Sequence, residues 1–316
     1  LSANSPENLN DSFKNFPAVN SANLILIEES YSGNGINLRF KNTVEKIYGS
    51  EVAIFDFKNH LEREKQRITA WVDKFTNHFI PNYKTIATED TVMDLLNVIY
   101  FKEDWRQPFY ESSTRKKNFK NRNGEFSKVD MMHRTFERKI SYYADEKYKS
   151  IKLRYKNSTA AMYVILPVEE RLNIAETWGE EDISYRENFL NKIKAAPIFN
   201  GEVNVSLPKF ELDIKNNLVN DLKSTGIERA FTNSAEFFNI VKGVSLKIDN
   251  AAHQAKIKVD EQGTEAAAVT EVTMFETTAL PPQYRRVVEF HADIPFIFVI
   301  RDTSGVNLFI GAINEL

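Results

Sequence analysis

The residues from Val259 to Pro282 read Val-Asp-Glu-Gln-Gly-Thr-Glu-Ala-Ala-Ala-Val-Thr-Glu-Val-Thr-Met-Phe-Glu-Thr-Thr-Ala-Leu-Pro-Pro. What this segment offers is its backbone rather than a set of reactive side chains. It has no apolar stripe at helical spacing. Gly263 supplies a hinge, and Pro281-Pro282 supply a stiff exit that cannot pair as a strand. A stretch this long between regular elements is usually functional or disordered. Read with a period of two, one face carries Thr264, Ala266, Ala268, Thr270, Val272 and Met274. The other carries Glu265, Ala267, Val269, Glu271, Thr273 and Phe275. The first face is small and uncharged and could enter a sheet, while the second keeps both acids wet. The same residues are polar enough to stay exposed, so the segment, about 261–282, suits two states. About ten new ladder hydrogen bonds at roughly 0.5–1.5 kcal/mol each would release roughly 5–15 kcal/mol. That is as much as a typical domain's whole stability.

Side-chain chemistry is harder to find. The five histidines, His60, His78, His133, His253 and His291, show no metal-ligand spacing, and there is no H-E-x-x-H. There is no G-x-S-x-G elbow. Gly33-Asn34-Gly35 lacks the third glycine of a dinucleotide loop and a following phosphate-binding Lys. The acid pairs Glu89-Asp90 and Glu169-Glu170 sit in polar stretches and read as solvated surface. The absence of cysteine excludes disulfides and thiol chemistry. The run Arg115-Lys116-Lys117-Asn118-Phe119-Lys120-Asn121-Arg122 reads as an exposed hairpin, with a polyanion site as the sharper alternative. A net charge of −3 points to no nucleic acid or anionic membrane, and no apolar run reaches transmembrane length. The expectation is a protein without enzyme activity, metal or cofactor.

The elements that must position the loop are those of one mixed α+β domain over residues 1–316. Leu24–Ile27 reads as a short buried strand. Phe40, Val44, Ile47 and Tyr48 recur at helical spacing. Residues 61–79 give the clearest helix, with Leu61, Ile68, Trp71, Val72, Phe75 and Phe79 on one face. Leu95–Phe101 is apolar on both faces and reads as a central strand. Residues 110–165 alternate short strands and turns. Residues 183–195 read as a helix, Val203–Leu207 as a strand stopped by Pro208, and Asn217–Thr225 as a helix closed by Gly226. Two strands, Val287–Arg301 and Asn307–Ile313, follow the loop, joined at Asp302-Thr303-Ser304-Gly305. The 23 phenylalanines imply an aromatic core. The start, Leu1-Ser2-Ala3-Asn4, reads as part of a longer precursor.

Val259-Asp260-Glu261 followed by Gly263-Thr264-Glu265-Ala266-Ala267-Ala268 resembles the hinge of the serpins. Asn97-Val98-Ile99-Tyr100-Phe101-Lys102 with Trp105 and Phe109 resembles that family's central-sheet signature. Val205-x-Leu207-Pro208-Lys209-Phe210, His253, Phe290-x-Ala292-Asp293-x-Pro295-Phe296 and Leu308-Phe309-x-Gly311 extend the resemblance in family order to the C-terminus. The resemblance implies a large central mixed sheet, smaller sheets, surrounding helices and an exposed reactive loop. It implies a suicide inhibitor: a peptidase attacks the loop, the freed hinge inserts as a strand, and the acyl-linked peptidase is carried away and distorted. It also implies structural roles for Asn97 and His253 as a hydrogen-bonding shutter, and for Trp105 where insertion begins.

Two features depart from the pattern. The family's first helices and their serine-bearing segment have no counterpart before Leu1. The strand before the hinge carries Lys256 and Lys258, in Gln254-Ala255-Lys256-Ile257-Lys258, where the family has Lys-Ala-Phe-Ile-Glu. A carrier, chaperone or storage serpin that never inserts its loop is the alternative reading.

Family spacing from Gly263 places the scissile bond at Thr277–Thr278; spacing from Pro281-Pro282 places it at Thr278–Ala279. No Arg or Lys precedes Arg285 in the loop, so a trypsin-like target is not expected. An elastase- or chymotrypsin-like serine peptidase ranks first. A papain-like cysteine peptidase, reading Phe275 before Glu276, ranks a close second. The resemblance further implies a secreted monomer, and Asn10-Asp11-Ser12 and Asn157-Ser158-Thr159 are glycosylation sequons.

Overall fold

The structure is a computed structural model and describes residues 19–33, 35–169, 173–264 and 286–316. The chain forms two compact units, residues 1–101 with 212–257, and residues 102–211 with 258–316. Strands and helices are numbered in chain order through both.

The first unit is built on β1 (Val19–Glu28), β2 (Ser50–Phe55), β3 (Met93–Phe101) and most of β11 (Phe210–Asn217) and β12 (Asn250–Val259). β3 runs antiparallel to β1 on one side and parallel to β12 on the other. β2 extends the sheet parallel to β1, and β11 pairs with β12. The apolar run that marks β3 as central is explained by these two neighbours. Leu96 and Val98 pack with Leu24 and Leu26 of β1 against Ile68 and Val72 of a helix. A second cluster joins Ile27, Val52 and Met93 to Val44 and to Ile240, Val241, Leu246 and Ile248. Val44 lies on α1 (Leu38–Ile47), opened by the Asn37 side chain accepting from the Arg39 amide. The Leu24–Ile27 strand is the inner part of a longer one.

The long helix, α2, spans Phe57–Phe75, not 61–79. Asp56 caps its start by accepting from the Asn59 amide at 3.1 Å. It stops because Asn77 and His78 take left-handed φ values of 49° and 65°. Phe79 therefore lies off the helix, against Tyr100 at 5.4 Å between ring centres.

The second unit begins with β4 (Glu103–Asp104) and contains β5 (Arg115–Lys120), β6 (Phe126–Glu137), β7 (Ser141–Ala144), β8 (Tyr148–Arg154), β9 (Ala161–Pro167), α3 (Ile174–Glu180), α4 (Ile183–Ala195) and β10 (Glu202–Pro208). α5 (Val219–Ser224) belongs to the first unit, with Gly226 after it at φ +96°. The second unit closes with β13 (Gly263–Thr264), β14 (Val287–His291), β15 (Phe296–Arg301) and β16 (Asn307–Ile313). One sheet runs β14-β10-β6-β5 and another β16-β15-β9-β8-β7. The basic run forms β5 and the turn after it, as a hairpin with β6.

The single strand expected over Val287–Arg301 is two. β14 lies parallel to β10, whereas β15 lies between β9 and β16 in the other sheet. Pro295 cannot donate to a ladder, so the chain changes sheets there. Among the described residues the largest fully buried side chains are all Phe or Tyr. Tyr148, Trp178 and Phe189 meet edge to face at 5.0 to 6.0 Å. This is the aromatic core that the composition implied.

Candidate functional site

In the second unit the chain leaves Val259, turns and returns as β13. Asp260 builds the turn: its amide donates to the Gly263 carbonyl at 2.9 Å, and its Oδ1 accepts from the Gln262 amide at 3.0 Å. Thr264 then pairs with Val259 on one side and with Glu103 of β4 on the other. Gly263 is needed here for space. A Cβ on it would sit 2.3 Å from the Glu103 carbonyl oxygen and 2.7 Å from the Asp104 Cα.

Thr264 is 0% exposed, and its Oγ1 lies 2.9 Å from the Tyr155 hydroxyl. Tyr155 stacks on Trp105 with ring centres 4.6 Å apart. Burial pushes the Tyr155 phenol far above its ordinary range, so it stays neutral and able to donate. The Trp105 amide donates to the Gln262 carbonyl at 2.7 Å, and its indole Nε1 donates to the Asp260 carbonyl at 3.0 Å. Trp105, far in sequence from Gly263 and Thr264, thus shares one site with them, to which Tyr155 is an addition that spacing alone did not reveal.

Glu261 points the other way. It is 5% exposed, accepts from Thr114 Oγ1 at 2.7 Å and pairs with Lys209 Nζ at 2.8 Å. Burial pushes its carboxyl up, but Lys209 and Thr114 outweigh burial and hold it below the ordinary range. A buried charge whose partner is removed is strongly destabilising. Glu261→Lys, which sets two ammonium groups together, is expected to lower unfolding stability by about 3 kcal/mol. Urea denaturation checks this, and Glu261→Lys with Lys209→Glu should recover most of the loss. If the double variant is no better than the single one, the ion pair is not what holds the turn.

In the first unit His253 and Asn97 are register partners on β12 and β3, and Asn23 of β1 faces Asn97 in turn. The His253 Nδ1 lies 2.7 Å from the side-chain oxygen Oδ1 of Asn97, so that nitrogen carries the proton. The Asn97 amide donates to Asn23 Oδ1 at 2.6 Å and to Ser21 Oγ at 3.1 Å. A polar rung therefore crosses three strands. Burial depresses the His253 pKa and keeps the ring neutral. Lys256 also has a place: its ammonium lies 4.7 Å from the Phe79 ring centre and 4.0 Å from Asp213, which also accepts from Gln254. Nothing in the structure explains Lys258.

A third polar row, invisible to sequence spacing, lies in the second unit. Glu289 is 3.0 Å from His291 Nε2, which must donate to it. The Ser206 hydroxyl lies 2.7 Å from His291 Nδ1 and 2.8 Å from His133 Nδ1. The His133 Nε2 is buried with no hydrogen-bond partner among the described residues. Burial, with Lys117, His291 and Arg115 nearby, depresses the His133 pKa. The order acid–imidazole–hydroxyl is that of a hydrolase triad, but Ser206 is 3% exposed within a strand, so the row ties β14 and β6 to β10. Among the described residues no group of three or more His, Asp or Glu could hold a metal ion.

The hinge residues Glu265, Ala266, Ala267 and Ala268 lie outside the described residues. So do Phe275, Glu276, Thr277, Thr278 and Ala279, between which the reactive bond is expected. Asn10 lies outside them too, while Asn157 is exposed with its amide 3.3 Å from Glu103.

A family model described as Serpin (serine protease inhibitor) matches residues 3–316. The chain therefore belongs to the serpin family, with its α+β fold. Iris, from Ixodes ricinus, is 30% identical over 307 residues, which cover 95% of this chain and 77% of that protein. The leukocyte elastase inhibitor of Equus caballus is 30% identical over 285 residues, covering 87% of this chain and 73% of that one. The native structure of the thermophilic serpin tengpin matches with a TM-score of 0.82 at 26% identity, covering 99% of this chain and 80% of that chain. Relatives of this chain are thus named as inhibitors of serine peptidases.

Proposed function

We propose that the chain is a single-domain, secreted and monomeric peptidase inhibitor that works as a suicide substrate and performs no catalysis of its own. A target peptidase cuts the loop of about 261–282 at Thr277–Thr278, or one residue further at Thr278–Ala279. Thr264, Ala266, Ala268, Thr270 and Val272 then form the inward face of a new strand, which extends the pairing of Thr264, and the acyl-linked peptidase is trapped. An elastase- or chymotrypsin-like serine peptidase is the favoured target, with a papain-like cysteine peptidase reading Phe275 and Glu276 next.

The observation that carries this reading is the position of Gly263 and Thr264. They are already strand residues with partners on both sides, and Thr264 is wholly buried with a hydroxyl partner. This supports an insertion that begins at the hinge, since in sequence each later residue of the small face repeats the period of Thr264. Asn97 and His253 act as the shutter and Trp105 as the support of the hinge.

The test is to incubate the protein with elastase-, chymotrypsin- and cathepsin-type peptidases. The expected result is a covalent complex that survives denaturing electrophoresis and a higher Tm for the loop-cleaved protein. Clean cleavage with neither complex nor thermal shift would sink the inhibitor.

A further inference from the structure

The second unit holds a cavity of about 160 Å³ lined by Trp105, Phe136, Ile140, Leu153 and Ile198 and by Arg106, Arg138, Lys139, Lys152 and Arg154, with Gln107 completing the wall. Among the described residues, all of its ionisable lining residues are cations and no carboxylate lines it. The chain brings them together from separate places. The Arg106 amide donates to the Arg154 carbonyl at 2.8 Å, which sets the segment after β4 beside the end of β8. The Arg138 amide donates to the Gly201 carbonyl at 3.0 Å, which fixes the segment after β6.

Two features show what this arrangement costs the protein. Arg138 has φ +48°, a left-handed conformation that side-chain-bearing residues rarely adopt and that tends to be kept at binding sites. Lys152 is half-buried; burial and the charges of Arg154 and Lys194 depress its pKa, and its ammonium donates to the Lys194 carbonyl at 3.3 Å. Arg106, Arg138, Lys139 and Arg154 are exposed and Lys152 is half-buried; like charges gathered in this way repel one another, and an anion among them removes that repulsion.

The size and the remaining lining define the anion. A cavity of about 150 Å³ accommodates one benzene ring. The buried walls here are aromatic or aliphatic, from Trp105, Phe136, Ile140 and Leu153. Guanidinium groups bind phosphate and sulfate oxygens in pairs. We propose that this cavity binds a small aryl ester of phosphate or sulfate, with its ring on Trp105 and Phe136 and its charged oxygens among Arg106, Arg138, Lys152 and Arg154. The site shares Trp105 with the hinge, but ligand binding there does not depend on the chain being an inhibitor.

Isothermal titration of the whole protein with phenyl phosphate, inorganic phosphate and phenol tests it. Phenyl phosphate is expected to bind at one site, with inorganic phosphate and phenol each at least about tenfold weaker, and the binding should weaken with added salt. Arg154→Gln should weaken phenyl phosphate about tenfold. Arg138→Gly should do the same while folding at least as well, because glycine relieves the left-handed strain. No saturable binding, inorganic phosphate binding as tightly as phenyl phosphate, or full affinity in both variants would each overturn the proposal.

Discussion

Thr264→Arg is expected to be cut by the target peptidase at an unchanged rate and to form almost no covalent complex. Thr264 sits between the end of β12 and β4, 0% exposed, with its hydroxyl on Tyr155. A guanidinium there would be buried beside a neutral phenol and strand backbone. An uncompensated buried charge costs several kcal/mol. At 1.4 kcal/mol per factor of ten, that is on the order of a hundredfold or more against the paired hinge, before cleavage as after it, so the variant's hinge is expected to stay out of the sheet. Cleavage happens far along the loop, at Thr277–Thr278 on the proposed reading, and does not need Thr264 in the sheet. The two events therefore separate, and the variant should accumulate as cleaved chain whose Tm no longer rises. Thr264→Val is the milder control. It keeps shape but leaves the buried Tyr155 hydroxyl without this partner, at about 1–3 kcal/mol, so inhibition should fall only in part. A Thr264→Arg protein that still gave wild-type yields of complex would mean that trapping does not need Thr264 in the sheet.

What sequence made legible, and what it hid, follows the range of the interactions. α4 was readable to the residue because its boundaries are local: Asp182 accepts from the Ser184 amide and the apolar positions recur at helical spacing. β3 was readable because two flanking strands demand an apolar run. The inward position of Thr264 was readable because a strand's period is fixed, while the later residues of that face lie outside the described residues. The end of α2 was not, since the left-handed Asn77 and His78 do not interrupt the apolar pattern that runs on to Phe79. The break at Pro295 was not, because continuity of apolar residues says nothing about which sheet receives them. Register hid the rest. Ser206 lies 73 residues from His133 and 85 from His291, and only the pairing of β6, β10 and β14 joins the three. Lys256 looked anomalous because its partners, Phe79 and Asp213, come from elsewhere in the chain.

Asp94 belongs to the hidden group, and removing its charge is expected to make the protein more stable at neutral pH. It lies on β3, is 3% exposed, and accepts from the Asn250 amide at 2.8 Å. Burial drives its carboxyl pKa up to about 7; Asp249 pushes the same way, against the hydrogen bonds from Asn250. The Tyr83 phenol, raised by burial and by Asp94 itself, offers no positive charge. The folded pKa thus lies above the ordinary 3.8. Between those values the folded protein holds a proton that the unfolded chain has released, so stability falls as pH rises from about 4 to about 7 and is level above. The span sets a ceiling on the order of 4 kcal/mol. The side-chain amide of an Asp94→Asn protein cannot ionise, yet its carbonyl oxygen still accepts from Asn250. The variant should therefore match the parent in urea at pH 4 and exceed it by about 3 kcal/mol at pH 8. A gain of equal size at both pH values would show that packing, not the buried charge, had changed. The same residue bears on inhibition, because Asp94 and Asn97 share β3 and the rung at Asn97 ties that strand to β1 and β12. A carboxylate that destabilises its strand at neutral pH leaves the sheet easier to open. On the proposed reading the stabilised variant should then trap its peptidase more slowly at pH 8 while matching the parent at pH 4.5, where both side chains are neutral.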